Sequence, residues 1–305
     1  MTSSVVSTSP WSVFASSRTV HCIRPALVVR PQPSRPAGAR QAACPRFLTL
    51  PGSGGNVAVL TGRDGKVMVD AGIEVSRRQM AAALEDLGPG PVTHLINTHW
   101  HFDHASGNQW LCELGPRIVA HENTLKHLAT LQRVDDWDSD FAPLPPAALP
   151  MEVFQSDRTL ALNGATLELR YYGPSHTDSD ISVRFAEADI LHAGDTYWNG
   201  VYPFIDHSTG GSIDGAIRAA EANLAAATDA TIVIPGHGAP VSDRTGLLAF
   251  RDMLVSIRAK VAALKRQGRS LAETVAAKPT EEYDARWGGF VVGPALFTKL
   301  VYDGV

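Results

Sequence analysis

From Phe47 onward the apolar positions follow two rhythms, one of period two and one near 3.6, punctuated by Gly and Pro. Asn56–Thr61 and Lys66–Asp70 read as strands around the turn Gly62-Arg63-Asp64-Gly65, a hairpin signal. A helix follows over Val75–Leu87, closed by Gly88-Pro89. His94–Asn97 is a short buried strand, Ser106–Leu114 a helix, Arg117–Ala120 a strand, and a helix runs from His121 to about Gln132. Val134–Pro150 fits neither rhythm; it is a Pro- and Asp-rich loop, long enough to imply function. Strands are then expected near Arg158–Leu162, Thr166–Tyr172, Ile181–Phe185 and Asp189–His192. Helix Ile213–Ala227, strand Thr231–Ile234, a long helix Arg244–Arg266 and a small helical tail complete the chain. Hairpins first and β-α alternation later predict two sheets covered by helices. The fold class is α/β or α+β, in one domain spanning 47–305.

The first 46 residues are different. They carry six arginines and no Asp or Glu, are rich in Ser and Pro, and show no sustained period. They read as a tail outside the fold, dispensable for stability. Their composition resembles an organellar transit peptide; a disordered arm or a start codon assigned too far upstream are the alternatives. No secretory apolar core is present, so an intracellular, cytoplasmic location is expected, or an organellar one if the tail is a targeting segment. The whole chain has net charge −4, and with the tail set aside residues 47–305 carry −10. That argues against nucleic acid as a partner. No apolar run reaches 18 residues, which argues against a membrane span. Three cysteines (Cys22, Cys44 and Cys112) are too few and too scattered for a disulfide framework or a Cys-rich zinc module. Cys112 reads as packing.

The eleven histidines change the picture. Asn97-Thr98-His99-Trp100-His101-Phe102-Asp103-His104 places three histidines and an aspartate within six residues, directly after an expected strand. At this composition such a pattern arises by chance in about one chain in a thousand. Imidazole with carboxylate suits zinc, with iron or manganese as alternatives, rather than calcium or magnesium. Three later positions share one setting: His176 in Gly173-Pro174-Ser175-His176-Thr177, Asp195 in His192-Ala193-Gly194-Asp195-Thr196, and His237 in Ile234-Pro235-Gly236-His237-Gly238. Each is expected beyond the carboxyl end of an apolar strand, where α/β scaffolds gather functional groups. Seven ligands suit two ions. His99, His101 and His176 would hold one, Asp103, His104 and His237 the other, and Asp195 would bridge them.

In these residues the sequence resembles the metallo-β-lactamase superfamily, whose His-x-His-x-Asp-His signature stands as His99–His104. The family's later His, Asp and His fall on His176, Asp195 and His237, and the likeness runs from about Phe47 to Val241. It implies a four-layer αββα sandwich with the metal site at one edge, between the sheets. The family's early Asp matches Asp70 in Val69-Asp70-Ala71-Gly72, which implies a residue behind the ligands, orienting them; a plain strand-end turn is the alternative. Asp rather than Cys at 195 argues against the β-lactamase groups that use a cysteine ligand there, and favours glyoxalase II, lactonases and related hydrolases. Glyoxalase II usually has Gly before and after its third His-Thr pair. Ser175 and Asp178-Ser179-Asp180 stand here instead.

The activity expected is hydrolysis of an ester, thioester, lactone or amide of a small molecule by a hydroxide held between two metal ions. Asp103 is the expected proton acceptor and Asp195 the bridge on which the rate depends. A di-iron redox protein on the same scaffold and a glutathione thioester hydrolase are the alternatives; no flavin-binding domain follows His237 to support the first. Thr196–Phe204 packs four aromatics into a short segment, so Tyr197, Trp198, Tyr202 and Phe204, with Trp100, are expected to line the substrate pocket or close the core beneath it. Trp137 and Phe141 would form a flap. His21, His94, His121, His127, His192 and His207 have no fitted ligand role.

Overall fold

The computed structural model describes residues 21–23, 47–50 and 54–305, with side chains from 54 onward. Gly65, at φ 119°, makes the turn that folds β3 (Val57–Gly62) onto β4 (Gly65–Val69) as an antiparallel pair. Outside β3 lie β2 (Phe47–Leu50) and β1 (His21–Ile23), both antiparallel. On the other side β5 (Val92–Ile96), β6 (Arg117–His121) and β9 (Glu152–Phe154) add in parallel, completing a seven-stranded sheet. Parallel strands need crossovers. Those crossovers carry α1 (Arg77–Asp86), then α2 (Phe102–Ala105) and α3 (Asn108–Leu111), then α4 (Glu122–Leu128) with the small hairpin β7 (Gln132–Val134)–β8 (Ser139–Phe141). The second sheet is β10 (Arg158–Leu162), β11 (Ala165–Tyr171), β12 (Ile181–Phe185), β13 (Ile190–Asn199) and β14 (Ile232–Gly238). α5 (Ile213–Ala226) joins β13 to its parallel neighbour β14. The chain then forms α6 (Arg244–Arg266), α7 (Leu271–Ala276), α8 (Glu281–Trp287) and α9 (Pro294–Asp303).

Period-two alternation divides the strand residues between two faces. Ala58, Leu60, Val67, Val69, Ile96 and Val119 of the first sheet meet Leu167, Leu169, Ile181, Val183, Phe185 and Ile234 of the second. The outer face of the first sheet buries Val59, Met68, Leu95 and Ile118 against Met80 and Leu84 of α1 and Leu111 of α3. α6, begun by Asp243 accepting from Gly246 N, presents Leu247, Phe250, Leu254, Ile257 and Val261 to the second sheet's outer face. Helix, sheet, sheet and helix stack in four layers, the αββα sandwich. Among the described residues no helix is long and apolar enough to cross a membrane.

Three features differ from the sequence expectation. β1 lies within the segment expected to stand outside the fold, and three of those residues extend the first sheet; residues 1–20 and 24–46 lie outside the described residues. The Val134–Pro150 loop is largely ordered as β8, a 3-10 turn at Asp135–Trp137 and a second at Pro146–Ala148. Finally, β13 and β14 do not stop before Asp195 and His237 but run through them. Pairing slips instead: Gly194 aligns with Pro235 and Trp198 with His237, so three residues of β13 oppose the single Gly236. A bulge of this kind re-aims side chains beside a site.

Candidate metal centre

The bulge between β13 and β14, together with the segments after β5 and β11, brings the seven singled-out side chains to one edge of the sandwich. His99, His101, His176 and Asp195 form one group and Asp103, His104 and His237 a second; within each, one atom per residue lies within 4.8 Å of the others. Asp195 reaches both. Its Oδ2 is 3.3 Å from His176 Nε2, 3.4 Å from His237 Nε2 and 3.8 Å from His99 Nε2, while Oδ1 is 3.1 Å from His104 Nε2. Asp103 Oδ2 lies 3.1 Å from His237 Nε2. All seven side chains are buried.

The outward ring nitrogens decide which atoms face inward. His104 Nδ1–H donates to Asp70 Oδ2 at 2.8 Å. His101 Nε2–H donates to Asp206 Oδ2 at 3.1 Å, and His176 Nδ1–H to the Phe204 carbonyl at 2.7 Å. His99 Nδ1–H donates to Thr98 Oγ1 at 3.0 Å, and that hydroxyl in turn donates to Asp70 Oδ2 at 2.8 Å. Each of these imidazoles therefore turns its other ring nitrogen inward. His99 Nε2 is buried with no hydrogen-bond partner. His101 Nδ1 stands 2.8 Å from His176 Nε2, and His104 Nε2 3.2 Å from His237 Nε2. Converging ring nitrogens and two carboxylates form a donor set suited to cations, and its nitrogen-oxygen chemistry fits zinc.

The charge distribution separates the two groups. Burial holds His99, His101 and His176 below the ordinary imidazole value, with neighbouring imidazoles adding to the effect. Burial acts the same way on His104 and His237, but Asp195 and Asp103 overcome it, so His104 rises well above the ordinary value and His237 to about 9. Burial would raise Asp103; His104 and His237 outweigh it and hold the carboxyl at about 2. Without a metal, protons on His104 and His237 balance the carboxylates. A metal taken up by the second group must displace them, so affinity there is expected to fall as pH drops below about 9. The imidazoles of the first group are already neutral, so it is expected to load to lower pH. Potentiometric zinc titration should show protons released with the second equivalent and few with the first.

Asp70 sits fully buried behind this cluster, at φ 65°, where it also accepts from Thr98 N at 2.7 Å. It touches no inward-facing atom, so its place is orienting His104 and the Thr98–His99 pair. Asp206 does the same for His101 and also accepts from Thr209 Oγ1 at 2.6 Å, Ser208 N at 3.0 Å and the Ser208 hydroxyl. Sequence reasoning did not single out Asp206. Its local signal is an Asp followed by Ser208 and Thr209, a side-chain turn; nothing local indicates that His101 lies against it. Two glycines complete the packing. A Cβ at Gly236 would overlap Asp195 Oδ1, and one at Gly55 would overlap the His104 ring.

A cavity of about 230 Å³ opens onto Asp103, His176, Asp195 and His237. Of the aromatics expected to line it, Trp198 and Phe204 do. Trp100, Tyr197 and Tyr202 do not. Trp100 packs behind His101 with Nε1–H donating to Thr209 Oγ1; Tyr197 is in the core against Phe250, its hydroxyl 2.7 Å from Ser242 Oγ. Tyr202 stacks on Phe297 and its hydroxyl reaches Asp284. Trp137, from the 3-10 turn between β7 and β8, covers the cavity 5.1 Å from the His101 ring and 4.4 Å from that of Phe204. Phe141 stacks on Phe102 at 5.2 Å and supports this cover. Unforeseen from sequence, the helical tail supplies Phe290, Val291, Val292 and Leu296. His94, His121, His127, His192 and His207 make other contacts and join neither metal group. The side chain of His21 lies outside the described residues. Cys112 is half-buried on the turn after α3.

Residues 50–261 match the sequence pattern of the metallo-beta-lactamase superfamily. The chain belongs to that superfamily. A hydroxyacylglutathione hydrolase of Rhodospirillum rubrum is 27% identical over 192 residues, 62% of this chain and 65% of that protein. Metallo-beta-lactamase type 2 of Bacillus cereus is 26% identical over 200 residues, 65% of this chain and 72% of the relative. Among solved structures of the same fold, a stereoselective inverting sec-alkylsulfatase from Pseudomonas sp. superposes with a TM-score of 0.64 at 18% identity. The match covers 84% of this chain and 48% of the sulfatase. A metallo-beta-lactamase from Pontibacter korlensis superposes with a TM-score of 0.56 at 20% identity, covering 71% and 97%. The chain thus spans just under two thirds of the hydroxyacylglutathione hydrolase and about half of the sulfatase. The metallo-beta-lactamase match ends at residue 261, before the tail residues that wall the cavity.

Proposed function

We propose that this chain is a dinuclear metal-dependent hydrolase cleaving an ester, thioester, lactone or amide bond of a small molecule. The observation that carries the reading is Asp195, whose two carboxylate oxygens face both ligand groups beside the cavity. His99, His101 and His176 would hold one ion, Asp103, His104 and His237 the other, and Asp195 would be shared. Zinc ions bound there supply Lewis acidity and a water that ionises near neutral pH.

The remaining work falls to the chain. Asp70, Asp206 and the Phe204 carbonyl keep the imidazoles in the tautomer and orientation that binding needs. Asp103 lines the cavity and is ionised at neutral pH, which suits it to accept the proton of the attacking water. Trp137 and Trp198 shield the reacting bond from bulk solvent. The likeness to hydroxyacylglutathione hydrolase supports a glutathione thioester as one candidate, but that ligand carries two carboxylates and no Lys or Arg lines the cavity among the described residues.

Elemental analysis of protein purified without added metal is expected to approach two zinc ions per chain. Removal by a chelator should abolish hydrolysis of a simple aryl ester or lactone, and zinc should restore it. Full activity at a stoichiometry that saturates at one ion would overturn the dinuclear assignment.

A further inference from the structure

We infer that the wall formed by Phe290–Leu296 and Trp137 selects a small, uncharged, apolar acyl group and rejects substrates with an anionic group away from the scissile bond. This rests on reading the adjoining cluster as a metal centre.

The composition of the cavity carries the inference. Away from the candidate ligands its lining among the described residues is Phe102, Trp198 and Phe204 with this wall, and Asp136 is the one charged group among them. Asp136 is an anion, 2.8 Å from Lys299 Nζ. That ammonium also holds Asp303 at 2.8 Å, so it is already spent on two carboxylates. A second anion brought here would lose its hydration, meet no donor from Lys or Arg among the described residues, and face Asp136. An alkyl or aryl group meets aromatic and aliphatic carbon instead. The volume, about 230 Å³, is below that of drug-sized pockets and limits the group to a short chain or one ring.

The wall is also firmly placed. The Lys299–Asp136 pair links α9 to the turn carrying Trp137, so both sides of the mouth are tied together. α9 is anchored in the core by buried Phe297, Leu300 and Val301. These residues lie beyond the superfamily match at 50–261.

Two ligands with one metal-binding head test this without turnover. Hexanohydroxamic acid and adipic monohydroxamic acid share the hydroxamate and a six-carbon chain and differ at the far end, methyl against carboxylate. Calorimetry on the zinc-loaded full chain should show the methyl-ended ligand bound at least about tenfold more tightly. Val291→Lys, at a position open enough to solvent to accept a charge, should narrow the difference to within about threefold. Leu296→Lys serves as the second variant, expected to act in the same direction. Equal affinities in the native protein, or no binding of either ligand, would overturn the inference. The ratio of kcat/KM for 4-nitrophenyl hexanoate over mono-4-nitrophenyl adipate should follow the binding ratio. If the hydroxamates discriminate but neither ester is cleaved, the cavity assignment stands and the hydrolase reading fails.

Discussion

Asp195→Asn is expected to lower turnover by about a hundredfold or more while leaving KM nearly unchanged. The carboxylate lies among four inward-facing imidazoles, with Oδ1 toward His104 and Oδ2 toward His176, His237 and His99. Burial alone would raise the Asp195 carboxyl, but His104, His237 and His176 outweigh it and hold it well below the ordinary carboxylate range. An amide keeps the shape but removes the negative charge shared by the two candidate ligand groups and places an N–H₂ against one of their imidazoles. Three other ligands remain in each group, so zinc affinity should weaken without binding being lost. Loss of one preorganised electrostatic partner is commonly worth two to three decades in rate. On the proposed reading the substrate's apolar part rests on Trp137 and Phe290–Leu296, which the substitution does not touch, so the loss should appear mainly in kcat. A zinc titration with kinetics on a generic aryl ester checks both parts. Native affinity with near-native turnover would show Asp195 to be a bulge residue with no bridging role.

Gly236→Ala is expected to lower activity as well, although it removes no candidate ligand. The new Cβ would occupy the position of Asp195 Oδ1 and press on the Gly194 carbonyl. The strand has little room to withdraw, because Gly236 O accepts from Asn56 N at 2.7 Å and Pro235 O from Asn56 Nδ2 at 2.9 Å. The carboxylate must therefore shift by roughly 1.5 Å to regain ordinary contact distance, enough to take it out of reach of one ligand group. Zinc content should fall toward one per chain and activity by about tenfold or more, with the melting temperature lowered by only a few degrees, as overpacking of this size costs about 1–3 kcal/mol. Full zinc content at native rate would show that Gly236 is not needed for the shared geometry.

Both predictions concern residues of different legibility. Asp195 could be singled out because His192-Ala193-Gly194-Asp195-Thr196 joins an apolar strand to a chemistry-bearing side chain. Gly236 could not, because its requirement comes from a strand pairing with three residues opposite one, and a bulge has no reliable local signature. The same holds for Tyr197, Trp198, Tyr202 and Phe204. They form one aromatic run in sequence, yet Trp198 and Phe204 line the cavity while Tyr197 and Tyr202 enter the core beneath it. Hydrophobicity is shared by the two destinations, so composition does not separate them.

By itself, the chain's sequence determined which atoms are available for chemistry and the layers that carry them. His99, His101, Asp103 and His104 are close because six consecutive residues cannot be far apart, and Gly194 and Gly236 mark the chemistry-bearing Asp195 and His237 next to them. Alternation in the strands and the stripe on α6 likewise specify buried faces through covalent geometry alone. Tertiary structure decided what those atoms meet. Asp206 lies 105 residues from the His101 it orients, and Trp137 faces a wall whose first residue, Phe290, is more than 150 positions away. Such meetings depend on α9 docking against α6 and on the slip between β13 and β14, outcomes of packing over the whole molecule. Apolar burial is non-directional, so a sequence marks a residue for the interior without naming its neighbour; only the folded chain supplies the neighbour, and with it the cavity.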